Sequence, residues 1–522
     1  CYFLCLFDKS CIFVLKINEL HKMTYYKRNI DIKLMEWKAS QRRKPLLIRG
    51  TRQVGNSRNY IIFMVKTYIS LLLCACCQIV SAQARTGDPL YDLLRNEMTY
   101  YYQHLSQDSV PVQFMSFGAL DEKTISIDSD MGCATMHEKN GRRFCPKILF
   151  GTLNDGKGLN RFDYKEEEWM DSQMLMIDLP YENDTKVIKS VIWNALSRIY
   201  RGQMAIWQKT KKKSIQMPLV AKDSAAVHYE EPLAEASFDK EYWKQLLNKT
   251  TAVQARKTPE AHCLAHIEGL NQRRYIIDSE GTAVVSNRQS FVLAIRASVK
   301  DFRGVEIALD KEYFAYKTSE LPDQETLAND MEVLVQRTFA LSKAPMAEAY
   351  SGPVILSGNS SAVFFHEVFG HRLERQDSEF ASMRGNQVLP TDFTVTCNPQ
   401  QQYLGGTPLA GYYRYDDEGS MGQKVECVKD GKMANMLTCL SQQAVTNGHG
   451  RSLFGNDPAP RQSNLIVETS HPYTETELRK MLINELKRLK KDYGYYIKSV
   501  SNGWTTLRSS AKVASSFNIF PV

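Results

Sequence analysis

A short apolar segment, Ser360–Leu373, constrains this chain more than any other feature of its sequence. The segment reads SSAVFFHEVFGHRL and holds His366, Glu367 and His371 within a run that predicts a helix. Neutral imidazole is a zinc ligand, and a catalytic zinc takes three protein ligands and an open position for water. A carboxylate beside the first histidine is placed to accept a proton from that water. The segment therefore predicts a hydrolytic metal site.

The spacing of the two histidines sets a condition on this helix. Metal-binding histidines on one α-helix are usually four residues apart and share a face. His366 and His371 are five apart, which is roughly 140° around an ideal helix. Both can reach one ion only if the helix is locally widened or ends between them, and Gly370 tolerates such a distortion. A buried amphipathic helix with two incidental histidines is the alternative interpretation.

The sequence around this segment resembles the TldD/PmbA family of metallopeptidases. HEVFGHRLE has the family form HExxGHxLE, and it is followed by YRYDDEG (Tyr413–Gly419) and GNDPAPRQSN (Gly455–Asn464). The resemblance covers roughly residues 90–522 and is strongest from 350 to 470. It implies that zinc is held by His366 and His371 and that Glu367 is the general base.

The third zinc ligand of that family is a point at which this sequence departs from the pattern. The family ligand is a cysteine in a glycine-rich loop near the end of the C-terminal domain. No cysteine follows Cys439 here, and neither Cys427 nor Cys439 lies in such a loop, so the role is transferred to neither. We therefore expect a C-terminally truncated enzyme whose activity is impaired or lost, because two protein ligands bind zinc more weakly than three.

The same resemblance implies a reaction and partners. The reaction is zinc-dependent hydrolysis of peptides or small unfolded proteins, which the family holds extended inside a dimer. The implied partners are a peptide substrate and either a second copy of the chain or a paralogue. A non-catalytic, peptide-binding partner subunit of such a complex is the alternative function, although partners of that kind have lost the histidine motif that this sequence retains.

Four further acids are candidates for contact with a ligand histidine or with substrate. They are Glu374, at the end of the histidine motif, and Asp416, Asp417 and Glu418, within YRYDDEG. Carboxylates commonly orient a metal-binding histidine through its other ring nitrogen. A solvated turn is the alternative for the last three, because acids followed by glycine are common in turns.

Two weaker features concern histidine and cysteine. His262 and His266 have the four-residue spacing that the main motif lacks, but no glutamate follows the first of them. We interpret them as structural histidines in a packed helix or strand. The cysteines beyond residue 84 imply no disulfide framework, although one bridge between Cys133 and Cys145 would suit an oxidising compartment.

Residues 1–63 differ in composition from the rest of the chain. They contain 13 Lys/Arg and 4 Asp/Glu, against 53 and 54 in the remainder, so the net charge of +8 belongs to this segment and no nucleic-acid partner is indicated. The stretch KPLLIRGTRQVGNS resembles the opening of an ATPase, but Asn56 stands where a phosphate-binding loop has its lysine. We interpret residues 1–63 as an extraneous N-terminal extension with an ATPase-like fragment.

Residues 64–84 have the pattern of a secretory signal peptide. Met64 and Lys66 precede an apolar run, Tyr68–Val80, and small residues follow at Ser81-Ala82. This run is too short for a stable membrane span. We expect export to the periplasm or another extracytoplasmic space if the signal is used, and a cytoplasmic location otherwise. A lipoprotein is an open alternative, because Leu73–Cys76 loosely fits a lipidation box.

Beyond residue 84, alternating strand and helix patterns predict an α+β fold. We divide it into an N-terminal α/β domain at residues 85–235, a strand-rich central domain at 236–345 and a mixed C-terminal domain, incomplete and carrying the metal helix, at 346–522.

Two hairpins are predicted within these domains. Arg274–Asp278 and Thr282–Ser286 flank a Ser-Glu-Gly turn, and Phe291–Val299 continues the sheet, as its alternation of apolar and polar residues indicates. In the C-terminal domain we expect Tyr412–Asp417 to lead into a hairpin whose return arm is Lys424–Val428, with Asp-Gly at 430–431 as the turn signal.

Overall fold

The computed structural model describes most of the chain beyond residue 86. The described residues are 87–108, 112–150, 160–162, 176–210, 214–216, 226–234, 237–345, 350–356, 358–440, 446–452, 458–498, 500–507 and 513–519. All of them belong to the unit Ala84–Val522. The predicted N-terminal extension, its ATPase-like fragment and the signal peptide lie outside the described residues. Of the helices described, none has the length and apolar character needed to cross a membrane.

One large sheet organises the first part of these residues. Its strands are β1 (Val112–Asp130), β2 (Cys133–Phe150), β3 (Ile177–Leu179), β4 (His228–Glu230), β5 (His262–Asp278), β6 (Ala283–Lys300) and β7 (Glu306–Ala315). Their order in the sheet is β3-β2-β1-β5-β6-β4 with β7 also beside β6, and all neighbours are antiparallel except β4 and β6. The sheet combines strands from both sides of residues 235/236, where we placed a domain boundary.

The predicted central hairpin is confirmed, but its arms are much longer than expected. β5 and β6 pair from His262–Ser298 to Ile277–Ala283. The predicted segments Thr282–Ser286 and Phe291–Val299 are parts of one strand, except that Thr282 lies just before β6. The polar residues 287–289 between them keep their pairing with residues 271–273. Main-chain hydrogen bonds to a neighbouring strand, and not apolar side chains, therefore decide how far the strand runs.

Helices cover the large sheet in two groups, and each group encloses a core. Helices α1 (Pro89–Leu105) and α2 (Thr185–Thr210) pack on one cluster, which includes Phe117 and Phe144. Helices α3 (Lys240–Lys257) and α4 (Gln324–Ser342) pack on the other. The large sheet is thereby a rigid base, buried along alternate residues of its strands.

The disulfide considered between Cys133 and Cys145 does not fit this sheet. Both residues lie on β2, twelve positions apart. At the rise of an extended strand this separates their Cα atoms by roughly 40 Å, whereas a disulfide needs about 7 Å or less. The prediction was wrong because both cysteines belong to one continuous strand.

The C-terminal part contains the histidine segment and a smaller sheet. The strands of this sheet are β9 (Phe393–Cys397), β10 (Val425–Lys429), β11 (Lys432–Met433) and β12 (Leu465–Thr469). Their order is β11-β10-β9-β12, and Phe369 and Leu373 of the histidine segment pack into the core of the sheet. The other elements are β8 (Val354–Leu356), α5 (Asn359–Phe364), a π-helical turn (Phe365–Gly370), α6 (His371–Leu373), α7 (Glu379–Ser382), α8 (Glu475–Arg488) and β13 (Tyr495–Ile497).

The Asp-Gly turn at 430–431 is present, but it joins different arms from those predicted. Asp430 and Gly431 both have positive φ, 48° and 72°, and connect β10 to β11. Tyr412–Asp417 contributes only an isolated bridge, from Tyr415 to Met421. The predicted hairpin was wrong because β10 is paired on its other side by β9, which lies far away in sequence.

Short paired strands complete the described structure. They are Asn160–Phe162 with Ser214–Gln216, Tyr403–Leu404 with Thr407–Pro408, Gly450–Arg451 with Ala459–Pro460, and Val500–Leu507 with Val513–Ile519.

Candidate metal centre

The start of the histidine segment is fixed to the end of β13. β8 runs parallel to β13, and Gly358, with a φ of 56°, turns the chain from β8 into α5. Ser360 donates its hydroxyl to the carbonyl of Ile497 at 2.7 Å, and the Asn359 side chain exchanges two hydrogen bonds of 3.2 Å with the backbone of Val500. These bonds join two side chains at the start of α5 to backbone groups at the end of β13 and at the start of the strand that follows it.

The histidines lie on a locally widened helix, which confirms the prediction made from their spacing. Phe365–Gly370 is a single π-helical turn, and the backbone N–H of His371 donates to the carbonyl of His366. This i to i+5 bond places the two residues one turn apart instead of 140° apart. Phe369, on the opposite side of the turn, is buried in the core of the smaller sheet.

The two imidazoles and Glu367 converge on one point. Nε2 of His366 lies 3.8 Å from one carboxylate oxygen of Glu367, and Nε2 of His371 lies 3.7 Å from the other. The ring centroids are 4.8 Å apart and nearly perpendicular. Glu367 is buried, whereas half of the His366 side-chain surface is exposed. The group is therefore a recess with an acidic floor, open on the side of His366.

Charge and burial shift the two imidazoles in opposite directions. The pKa of His371 is raised, mainly because Glu374 accepts a 2.9 Å hydrogen bond from its Nδ1. The pKa of His366 is lowered, first by desolvation in the recess and then by the neighbouring His371. A neutral imidazole is the form that binds a metal. The bond to Glu374 also fixes the tautomer that leaves the Nε2 lone pair of His371 facing Glu367.

Glu374 is the centre of a small hydrogen-bond network. It is buried and accepts bonds of 3.0 Å from the guanidinium of Arg461 and from the backbone N–H of Gln462. These partners, together with its bond to His371, hold the pKa of Glu374 below its usual value against the effect of burial. Arg461 and Gln462 were not predicted as site residues. Both lie in the segment GNDPAPRQSN, one of the motifs that carry the family resemblance.

Asp416 and Glu418 hold a loop. Asp416 is fully buried and accepts hydrogen bonds from the backbone N–H groups of Glu418, Ser420 and Gly450. Burial and the neighbouring Glu418 raise its pKa to about 8, while these backbone donors act in the opposite direction. Glu418 accepts from the backbone of Leu440 at 2.6 Å. These bonds shape the strand pair that leads to Arg461.

Asp417 links this loop to the large sheet. It forms an ion pair with Arg274 of β5, accepts from the backbone of Ser452, and lies 3.5 Å from the guanidinium of Arg451. The bonds of Asp416 and Asp417 thus go to the loop and to the sheet, whereas the partner of the His371 ring is Glu374.

The other histidines and cysteines considered from the sequence lie elsewhere. His262 and His266 occupy the exposed face of β5, and each contacts a carboxylate of β1 at 2.7 Å, Asp130 and Asp128 respectively. This arrangement agrees with structural histidines. Cys427 is buried, and its bond to the thiol of Cys397 together with burial raises its pKa, so it lacks the properties of a reactive thiolate.

The donor set of the recess fits a metal ion. Among the described residues, His366, Glu367 and His371 are the one group of three potential donors lying this close together, with all their ligand atoms within 4.8 Å of one another. Two imidazoles and a carboxylate are ligands that suit a divalent transition metal. The recess would require small side-chain movements to bring both nitrogens within bonding distance of one ion.

Comparison with known sequences identifies relatives of the C-terminal part. Residues 349–519 match the family model of the PmbA/TldA metallopeptidase C-terminal domain. A metalloprotease of Methanocaldococcus jannaschii is 30% identical over 141 residues, which are 25% of this chain and 30% of that protein. A metalloprotease of Archaeoglobus fulgidus is 30% identical over 156 residues, 28% of this chain and 34% of that protein. The matches thus span about a third of the length of these relatives.

Comparison with solved structures extends the similarity to most of the chain. A Thermotoga maritima protein described as a candidate modulator of DNA gyrase has a TM-score of 0.53 at 12% identity, covering 81% of this chain and 88% of its own. TldE from Thermococcus kodakarensis has a TM-score of 0.50 at 11% identity, covering 80% and 83%. At these identities the likeness concerns the fold, and it confirms the α+β class predicted from the sequence.

Proposed function

The chain belongs to the TldD/PmbA family, and on that premise we propose that it is a zinc-dependent peptidase. In this proposal His366 and His371 bind the zinc ion and Glu367 is the general base. The observation that carries the proposal is the π-helical turn, which brings both Nε2 atoms to within 4 Å of one buried carboxylate. The metalloprotease names of the sequence relatives support the same reaction class.

The residues of the recess would have separate roles. A bound zinc ion supplies a water of lowered pKa and polarises the scissile carbonyl. Glu367 lies at the floor, within reach of a molecule between the two rings, and accepts the proton of the attacking water. Glu374 holds the His371 ring and its tautomer, and Arg461 offsets the charge of Glu374. The exposed side of His366 is the route by which substrate enters.

We propose peptides or small unfolded proteins as substrates and a second copy of the chain or a paralogue as partner, following the family resemblance. The third protein ligand is not assigned to Cys427 or Cys439, because neither belongs to the group of donors formed by His366, Glu367 and His371. A non-catalytic, peptide-binding subunit remains the alternative, and a single substitution of the base distinguishes it from the enzyme.

The proposal is tested by zinc stoichiometry and by hydrolysis of an unfolded substrate such as casein. The purified chain should hold close to one zinc ion, and His366→Ala should lose it. The matched control is His266→Ala, which removes a histidine of similar exposure that is paired with Asp128 outside the recess. Zinc that survives His366→Ala would refute the assignment, and so would loss of zinc from His266→Ala alone.

The role of Glu367 needs its own variant. Glu367→Gln should keep zinc and lose hydrolysis, with kcat lowered by about 10²-fold or more because proton transfer is removed. Equal hydrolysis by the wild type and this variant would refute Glu367 as the base. Zinc binding with no hydrolysis in the wild type, combined with peptide binding, would refute an active enzyme and would fit either the non-catalytic subunit or an enzyme inactivated by the lack of a third ligand.

A further inference from the structure

We propose that Gln462 is a positioning residue of the metal centre, whose side chain holds the widened turn that brings His366 and His371 together. Gln462 lies 91 positions after His371 in the chain, in the segment GNDPAPRQSN, of which the proposed mechanism uses only Arg461. The inference rests on the proposed metal site, because the property it explains is metal affinity.

The first observation is the close approach of Gln462 to Gly370. A Cβ atom placed on Gly370 would overlap Oε1 of Gln462 and lie 2.5 Å from its Cδ and 2.6 Å from its Nε2. Gly370 itself has ordinary right-handed helical torsions, φ −58° and ψ −50°. Conformational freedom is therefore not the reason that this position suits glycine. The carboxamide of Gln462 occupies the space that any side chain at 370 would fill, directly against the π-helical turn.

The second observation is a pair of bonds that joins Gln462 to both halves of the site. Its Nε2 donates to the carbonyl of His366 at 3.4 Å, the same carbonyl that accepts the π-helical bond from His371. Its backbone N–H donates to Glu374 at 3.0 Å, the carboxylate that holds the His371 ring. One residue thus contacts the backbone of the first histidine and the partner of the second.

The third observation is the buried oxygen of the same carboxamide. Among the described residues Oε1 of Gln462 is one of two buried side-chain polar atoms without a hydrogen-bond partner. Reversing the amide would place oxygen against the His366 carbonyl oxygen, so the orientation is set by that carbonyl. An unsatisfied buried acceptor opposes folding. Its presence indicates that this side chain serves the geometry of the turn more than the stability of the protein.

The experiment measures Co²⁺ binding by the visible absorption of the bound ion, together with the Tm of the metal-free chain. Gln462→Ala should weaken Co²⁺ binding about tenfold, which is the lower range for residues that orient metal ligands. The matched control is Gln376→Ala. Gln376 also donates its amide to a backbone carbonyl, that of Leu437 at 3.0 Å, just after the histidine segment. This control should bind Co²⁺ within about twofold of the wild type.

A double-mutant cycle tests whether the contact with Gly370 is the cause. Gly370→Ala leaves the helical torsions allowed but displaces the carboxamide, so it should weaken Co²⁺ binding about as much as Gln462→Ala does. The double variant should bind Co²⁺ about as tightly as the single variant with the lower Co²⁺ affinity, because both substitutions remove the same interaction. Additive losses would overturn the inference.

The outcomes separate this inference from the proposed function. Failure of the wild type to bind Co²⁺, or binding that survives His366→Ala, would remove the metal site itself. A wild type that binds Co²⁺ through His366, combined with unchanged binding in Gln462→Ala, would overturn only the role of Gln462. A fall in Tm without a change in affinity would have the same meaning, because it would show a structural role alone.

Discussion

Replacing Glu374 by glutamine is the sharpest test of how the recess holds its second histidine. The carboxylate has 4% of its surface exposed and accepts hydrogen bonds at both oxygens: from His371 and Arg461 at one, and from the backbone of Gln462 at the other. Glutamine keeps one acceptor and introduces an NH₂ group. In either orientation this NH₂ faces a donor, so at least one bond is replaced by a repulsive contact.

The magnitude follows from the bonds that are lost. Bonds to charged groups contribute about 1.5–3 kcal/mol, and Arg461 adds little because its side chain is half exposed. If the new NH₂ faces His371, the ring is driven to the tautomer whose Nε2 carries a proton. We expect Glu374→Gln to weaken metal binding about 10- to 100-fold, or about 1.4–2.8 kcal/mol.

Two assays check this prediction. Co²⁺ titration gives the change in metal affinity, and NMR titration of the metal-free chain should show the pKa of His371 falling, because the hydrogen bond that raises it most has gone. Glu320→Gln is the control, since Glu320 accepts bonds of 2.9 Å from the backbone of Tyr316 and from the hydroxyl of Tyr403, outside the recess. An unchanged His371 pKa with wild-type affinity would refute the role of Glu374.

Three further predictions concern stability. Burial lowers the pKa of His449 from 6.5 to about 4, so the unfolded chain binds this proton more readily between those values. The free energy of unfolding should therefore fall by up to about 3 kcal/mol from pH 7 to pH 4. His449→Gln should reduce this pH dependence when stability is measured by urea titration. A pH profile of stability that is the same in the variant and the wild type would contradict the prediction. Gly431→Ala should lower the free energy of unfolding by about 2 kcal/mol or more, because φ is 72° and the new Cβ would overlap backbone carbonyls. The control Gly406→Ala, where φ is 83° but the space around the new Cβ is open, should lower it by about 1 kcal/mol. Equal Tm shifts in the two variants would contradict the role of the overlap. Arg273→Met should lower the free energy of unfolding by about 3 kcal/mol, since it leaves the buried Asp88 carboxylate without its 2.6 Å ion pair. A decrease of less than about 1 kcal/mol in denaturant unfolding would contradict this prediction.

The histidine segment shows how far local sequence information reaches. The apolar run, the five-residue spacing and Gly370 together predicted that the helix is widened or ends between the histidines if both reach one ion, and the structure has a π-helical turn at that place. This could be predicted from the sequence because helix geometry is a local property: the angle per residue decides which side chains can meet. The same local information wrongly predicted a hairpin from Tyr412–Asp417 to Lys424–Val428 and gave only two shorter segments of β6. There, strand pairing with distant residues decides the outcome.

The partners of the histidines depend on tertiary structure. Arg461 and Gln462 reach Glu374 across 87 and 88 positions of sequence, through a loop that Asp416 holds by bonds to backbone groups. No periodicity or composition connects such positions, because their contact depends on where separate loops of the fold meet.

Sequence alone therefore determined the α+β class, the need for a distorted helix if the two histidines share an ion, and the three residues that can then meet, since each follows from short-range pattern and backbone geometry. Tertiary structure decided which carboxylate holds His371, which side chain occupies the space beside Gly370, and how long the strands of the base are. Those features arise from side chains and backbone bonds brought together across the fold, where distance in space and not spacing in sequence sets the interaction.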